Sequence, residues 1–574
     1  MLSPNDRSNR SHRYVNHVML NLVCIFVNIL ITIAEDEVVV DTVFGRVRGA
    51  LDSTRGGRPL SAFTGIPFAA PPINELRFRE PVAATPWSDT LDARAPSPLC
   101  VQRNPYIRQV DIEGQEDCLY LNIYTPRTND SSEELLPVMV FFHGGGLMCG
   151  GASGKYQYNP QYLLDRDVVL VIPHYRLGSL GFLSMQDELC PGNNGFKDQQ
   201  EALRFVQKTI HSFGGDNQSV TIFGESAGGS SVHYHMLSDT SAGLFHRGIS
   251  QSGTALAPWV EAPAGEPQRR ARRLAELLRC PPTPTEAMLD CLRERDSYDI
   301  IGTEFQFYVW DLEPMTIFKP VEEPSSASAF LQRNPRAPLA ATVPWLTGLN
   351  AHEGCLKSGW LTENSTRFRE FIDGFESIGP VTLYYEGSSH TDDITKMVKE
   401  KYLNLTEKED LKKIKSGIID MYTDNYFGYP LVEAVELTFQ YSEAPIYLYE
   451  MLYKASNSFS KIFGYKEDPN YVCHADDLVH LFPIPFLEEP PTAEDIEMSN
   501  AIVTMWSNFA TSGDPNTPVP LPWKWRAGES AEGMEYLEVS RTPRMRSGLA
   551  ARSRFWGTLP SWQNAKKQRF FDEL

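Results

Sequence analysis

The sequence predicts an α/β fold with a large, mostly parallel central sheet flanked by helices. Three observations lead there. From about residue 120 onward, apolar strand-like runs alternate with stretches of helical periodicity, the order that builds a doubly wound sheet. The runs 137–142 and 168–173 are apolar almost throughout, as strands covered on both faces are. The helical pattern of 198–213 stops at Gly214-Gly215, and the next strand, 219–223, leads into Gly224 and a further helical pattern. Earlier in the chain, 119–124 alternates between apolar and polar residues, and later 345–350 reads as a strand end. The stretches 258–284 and 322–338 are rich in proline and read as surface excursions. No boundary separates these parts, so 35–574 reads as a single domain.

Composition agrees with that picture. The 574 residues are 42% hydrophobic and 22% charged, which excludes a disordered chain, a collagen-like repeat and a multi-span membrane protein. A net charge of −20 sets the surface against phosphate backbones, so no nucleic-acid partner is expected. At the N-terminus, Arg7, Arg10 and Arg13 precede an apolar run over 18–33 that closes on small residues. That is the pattern of a secretory signal peptide, here 1–34; a membrane span needs roughly 20 apolar residues. Secretion makes Asn129, Asn217, Asn364 and Asn404, each two residues before Ser or Thr, expected glycosylation acceptors. The C-terminal Phe571-Asp572-Glu573-Leu574 resembles the tetrapeptides that retain proteins in the endoplasmic reticulum, with Phe in place of Lys or His. The expected destination is therefore extracellular, with the reticulum lumen as the alternative.

The strongest chemical signal is Gly224-Glu225-Ser226-Ala227-Gly228, set between a strand and a helix. G-x-S-x-G places a serine on a sharp turn with its hydroxyl exposed above the sheet, and its glycines allow the turn to close. The helix beginning at Ala227 offers unpaired N–H groups toward developing negative charge. His143-Gly144-Gly145-Gly146, directly after the run 137–142, matches the loop that supplies further amides to an oxyanion. No lysine stands where a phosphate loop would need one.

Twelve histidines compete for the role of base. With this elbow the order along the chain is nucleophile, acid, base, which leaves His352, His390, His474 and His480. His233 and His235, in the helix after Ser226, read as facing sheet and solvent. His480 lies in an apolar run and reads as core, whereas His474 opens an acidic loop and is the better base. The segment 473–480 also carries zinc-ligand types, but no second ligand pair stands at the usual spacing, so no metal is expected. Glu353, just past the strand end 345–350, can accept the imidazole N–H, although spacing alone does not single it out.

Six blocks then occur in order: Phe63-Thr64-Gly65-Ile66-Pro67, 116–122, Tyr175-Arg176-Leu177-Gly178, 223–229, 350–354 and 474–482. On these the chain resembles the type-B carboxylesterases, which include insect carboxylesterases, juvenile hormone esterases and cholinesterases, along nearly its whole length. The resemblance implies an α/β-hydrolase fold and a serine carboxylesterase that acts on a small ester without a cofactor. It implies a triad of Ser226, Glu353 and His474, with oxyanion donors at Gly145, Gly146 and Ala227. It further implies Ser252 near the triad, Trp259 in the acyl pocket, and disulfides Cys100–Cys118 and Cys280–Cys291. Cys149, Cys190, Cys355 and Cys473 are left over and read as buried thiols. In cholinesterases the first disulfide loop carries a Trp that stacks on choline; here 101–117 holds only Tyr106 as an aromatic, against acetylcholine as substrate. Juvenile hormone esterases resemble the same elbow with Gln before the serine, where this chain has Glu225. Xenobiotic, pheromone or odorant, and lipid-type esters are the implied substrates. A juvenile hormone esterase and a stoichiometric ester- or organophosphate-sequestering binder are the alternatives. No stable membrane span is expected after leader removal.

Overall fold

Apolar residues at alternate positions of one central strand point into two different cores, and that division organises the molecule. The strand belongs to a computed structural model that describes residues 37–127, 134–403, 411–467, 469–487 and 489–560. Its thirteen strands are β1 (Glu37–Thr42), β2 (Gly45–Ser53), β3 (Pro59–Pro67), β4 (Leu91–Asp92), β5 (Tyr120–Thr125), β6 (Leu136–Phe142), β7 (Val169–Pro173), β8 (Gly215–Glu225), β9 (Arg247–Gln251), β10 (Trp345–Asn350), β11 (Ile446–Met451), β12 (Tyr536–Val539) and β13 (Arg544–Arg546). They form one sheet in the order β1-β2-β3-β5-β7-β6-β8-β9-β10-β11-β12-β13, with β4 beside β2. Every pairing from β7 through to β12 is parallel, while β1, β2, β3, β5 and β13 join antiparallel at the two margins. Along β6, Val138, Val140 and Phe142 enter one core, and Met139 and Phe141 enter the other. A strand covered on both faces has no polar side, which explains its continuous apolar sequence.

Helices close both faces. On one side pack α1 (Asn194–Thr209) and α2 (Ala227–Leu237), through Phe196, Ala202 and Val232. The same face carries α3 (Glu266–Leu277) and α4 (Cys355–Thr362), through Leu274 and Leu356. On the other side α5 (Ala493–Ser512) buries Ile502, Trp506 and Phe509. The helix expected over 198–213 starts four residues earlier, continues as a 3₁₀ turn to Phe213 and stops at Gly214, whose φ of 78° suits glycine. The proline-rich stretch 258–284 is not all surface loop: it contains α3, which opens with a proline in its first turn, where the missing N–H costs nothing.

The parallel pairing sets where chemistry can occur. Phe142 of β6 lies beside Gly224 of β8, Glu225 beside Gln251 of β9, and Gln251 beside Gly348 of β10. The loops leaving β6, β8, β9 and β10 therefore emerge together at the C-terminal edge of the sheet, where open α/β sheets bind their ligands. Both expected disulfides, Cys100–Cys118 and Cys280–Cys291, are formed, and the four remaining cysteines of the described residues are buried. Among the described residues, no helix is long and apolar enough to cross a membrane. The leader 1–34, Asn129, Asn404 and the C-terminal tetrapeptide lie outside the described residues.

Candidate active site

Ser226 sits between β8 and α2 with φ 58° and ψ −120°. A non-glycine residue held there is strained by about 1–3 kcal/mol and needs surroundings that over-determine it. Its amide donates to the Gln251 carbonyl at 2.8 Å, and its carbonyl accepts from the Ser230 amide at 2.9 Å. A Cβ on Gly224 or Gly228 would fall 2.5 or 1.9 Å from the Phe142 carbonyl oxygen, and one on Gly253 would fall 2.0 Å from that of Ser226. The motif's two glycines thus serve close approach of the elbow to the end of β6 rather than a positive φ. Ser226 opens on a cavity of about 300 Å³ whose walls include Tyr106, Tyr158, Leu356, Phe459, Phe463 and Phe486.

The loop after β6 lines the same cavity. Gly145 and Gly146 adopt φ 108° and 63°, and among the described residues neither amide has a hydrogen-bond acceptor. Ala227, the first residue of α2, has an amide with no acceptor within its own helix. Three N–H groups are therefore free near the serine. The loop is pinned from outside: Gln102 donates to the Gly150 carbonyl at 2.8 Å and accepts from the Gly150 amide at 2.7 Å. The Tyr175 hydroxyl donates to the His143 carbonyl at 2.8 Å.

His474 lies with Nδ1 2.5 Å from Glu353 Oε2. The other oxygen of Glu353 accepts from Ser252 Oγ at 2.5 Å and from the Asn350 amide at 2.6 Å. Glu353 is fully buried, and these donors offset the cost of holding its charge there. The imidazole lies against Phe427, with ring centroids 4.7 Å apart and planes tilted by 35°. Its Nε2 faces Glu225, with Oε1 at 3.1 Å; that oxygen has no hydrogen-bond partner, so the contact is Coulombic. Burial by itself would push the His474 pKa down, but the charges of Glu225 and Glu353 raise it to about 9. Burial likewise pushes Glu225 up to about 8, with His474 opposing the rise.

Other expected residues find definite places. Ser252, with φ 51°, orients the acid. Trp259 does not line the cavity: its indole N–H donates to the Tyr426 carbonyl at 3.1 Å, and its ring packs behind Phe427. A buried indole N–H needs an acceptor, and the Tyr426 carbonyl supplies it. His233 and His235 do not face solvent. Both are buried, His235 between Ser241 and Gln199, and His233 accepting from the Ala255 amide. His352 accepts the Val472 amide through Nδ1 at 3.3 Å, while its own amide donates to the Val472 carbonyl at 2.9 Å, tying the acid loop to the base loop. His480 is core. The zinc-ligand types of 473–480 are engaged elsewhere, since Asp476 accepts from the Cys473 and Phe459 amides and the Ser458 hydroxyl. Burial pushes the Cys149 thiol up, and Cys190 to about 12, which favours the protonated form of both. Asn364 is exposed at a helix start, whereas the Asn217 amide donates to the Gln207 carbonyl at 3.1 Å.

Three groups at the site leave little mark in the sequence. The Glu225 contact with Nε2, the Phe427 platform and the Asp476 brace all depend on residues brought together only by folding. The acidic character of 476–477 was the one visible trace of the last.

A model of the carboxylesterase family matches residues 36–556. The chain belongs to that family. This esterase is 35% identical over 517 residues to a juvenile hormone esterase of Tribolium castaneum, covering 87% of each chain. It is 34% identical to venom carboxylesterase-6 of Apis mellifera, over 92% of this chain and 95% of that one. It is 35% identical to carboxylesterase 1F of Mus musculus, over 93% and 96%. The esterase is a carboxylic-ester hydrolase with the α/β-hydrolase fold of its family.

Proposed function

We propose that this esterase is a secreted serine carboxylesterase that hydrolyses neutral, apolar esters through an acyl-enzyme on Ser226. The observation that carries the reading is the strained Ser226 opening on an apolar cavity, beside an imidazole whose far nitrogen is held at 2.5 Å by a buried carboxylate. In the first half-reaction Ser226 Oγ attacks the ester carbonyl carbon while His474 Nε2 takes its proton. Glu353 stabilises the imidazolium through Nδ1–H, and the amides of Gly145, Gly146 and Ala227 receive the oxyanion. Collapse expels the alcohol, which leaves with the proton from Nε2. Water then adds to the acyl carbon as the same nitrogen takes its proton; collapse breaks the Oγ–acyl bond, Nε2 returns the proton to Ser226 Oγ, and the acid leaves.

The cavity wall favours neutral groups: Tyr106 is its single contribution from the aromatics of the first disulfide loop, and most of its other side chains are aliphatic or aromatic. Xenobiotic, pheromone or odorant, and lipid-type esters fit it. Glycosylation at Asn364 is consistent with secretion, and the exposed side chain leaves its amide nitrogen free of protein partners. The test mixes purified protein with p-nitrophenyl acetate, beside Ser226→Ala. Sustained release of nitrophenol that falls at least about 1,000-fold in the variant, with folding unchanged, is expected. Release of one equivalent and no more would replace the reading with a sequestering binder.

A further inference from the structure

The loop closed by Cys100–Cys118 sends one hydroxyl toward the reacting centre, that of Tyr106. The backbone of Tyr106 is fixed on both sides. Its amide donates to Asn104 Oδ1 at 2.9 Å, and its carbonyl accepts the Trp360 indole N–H at 3.0 Å. Two residues on, Arg108 pairs with Asp311 at 2.8 Å. The ring therefore stands in a set position on the cavity wall that Ser226 and Gly145 also line.

The hydroxyl occupies the space a side chain on Gly146 would need. A Cβ built there would fall 2.1 Å from Oη, so only glycine lets the phenol come this close to the oxyanion loop. Gly146 also holds φ 63°, a second reason for glycine. Among the described residues Oη has no hydrogen-bond partner, although the backbone of Tyr106 is fully engaged. Tyr106 is half-buried and lines the cavity, so its hydroxyl is open to an acceptor that enters there. Burial holds its pKa well above the ordinary tyrosine value, so Oη keeps its proton.

We propose that Tyr106 contacts the substrate, its hydroxyl donating a hydrogen bond to the ester carbonyl oxygen as that oxygen becomes an oxyanion beside Gly146. The proposal rests on the serine-esterase reading above. No bond forms or breaks at Tyr106; the phenolic proton stays on Oη throughout, and the group contributes a preorganised dipole.

Tyr106→Phe keeps the ring and removes only the donor. The measurements are kcat and KM with p-nitrophenyl acetate, Tm, and the affinity for an aryl trifluoromethyl ketone, whose Ser226 adduct carries an oxyanion. The expected result is a kcat lower by roughly 10- to 100-fold, KM within about twofold, ketone affinity weakened by the same factor as kcat, and Tm unchanged. A purely structural role would not move ketone affinity in a variant of unchanged Tm. Values of kcat and ketone affinity within about twofold of the parent, or a loss confined to KM, would overturn the proposal. Calorimetry reads the ketone affinity without turnover, so a parent enzyme that fails on the acetate would refute the catalytic reading while the Tyr106 comparison still stands.

Discussion

Glu225 separates the resting site from the working one. The imidazole of His474 lies between two carboxylates, which favour its charged form, and its Nε2 faces Glu225 at 3.1 Å while Ser226 Oγ has no hydrogen-bond partner among the described residues. A base must be neutral to take the serine proton, so rate is lost as pH falls through the His474 pKa, raised here to about 9. Glu225→Gln keeps the shape and removes the charge that contributes most to the rise. The acid limb of kcat/KM is then expected to move toward lower pH, read from a pH profile; a limb that stays in place would show that Glu353 alone sets the pKa. The proposed nucleophile and base were legible in the sequence because an elbow motif and chain order constrain them. The acid was not, since any carboxylate after a late strand fits the spacing. Only the fold shows Glu353 receiving Ser252, Asn350 and His474 together. Trp259 differs again: the resemblance implies an acyl-pocket residue, and the fold shows its N–H donating to the Tyr426 carbonyl outside the cavity that Ser226 lines.

Among the elements, those with continuous apolar sequence were the most legible, β6 and β7 above all, because burial on both faces leaves no room for polar residues. Helix α3 escaped because prolines that open a helix and prolines that mark a loop look alike until the helix is seen to follow. Helix α5 shows how an element's own chemistry holds it. Thr492 Oγ1 accepts the Asp495 amide at 3.2 Å, and Asp495 Oδ2 accepts the Thr492 amide at 2.8 Å, a reciprocal cap. Asp495 also receives Tyr453 and Ser456, and although burial opposes it, these donors lower its pKa to about 2. A depressed carboxyl stabilises the fold above its unfolded value near 4, and that contribution fades as pH falls toward 2. Thr492→Ala is expected to cost about 1 kcal/mol in denaturant unfolding at pH 7 with kcat unchanged. A stability equal to the parent's would mean that Asp495 is held by Ser456 and Tyr453 without the cap.

At the scale of the whole molecule, the two disulfides look alike in the sequence but differ in what they hold. They enclose separations of 18 and 11 residues, and loop closure of that size stabilises a fold by about 3 kcal/mol in each case. Cys280–Cys291 joins the end of α3 to the next helix, Thr285–Arg293, and neither cysteine lines the cavity. Cys100–Cys118 closes the loop from which Gln102 pins Gly150 and Tyr106 reaches Gly146. Paired serine substitutions should therefore separate stability from chemistry. Cys280→Ser with Cys291→Ser is expected to lower stability by about 3 kcal/mol and leave kcat where it was. Cys100→Ser with Cys118→Ser is expected to lower stability by a similar amount and to lower kcat as well, because the freed loop no longer fixes the glycines whose amides are proposed to receive the oxyanion. Both are read by unfolding in urea and by turnover at a temperature where each variant remains folded. Equal kcat in the two pairs would show that Gln102 and the sheet hold the oxyanion loop without help from the covalent bond.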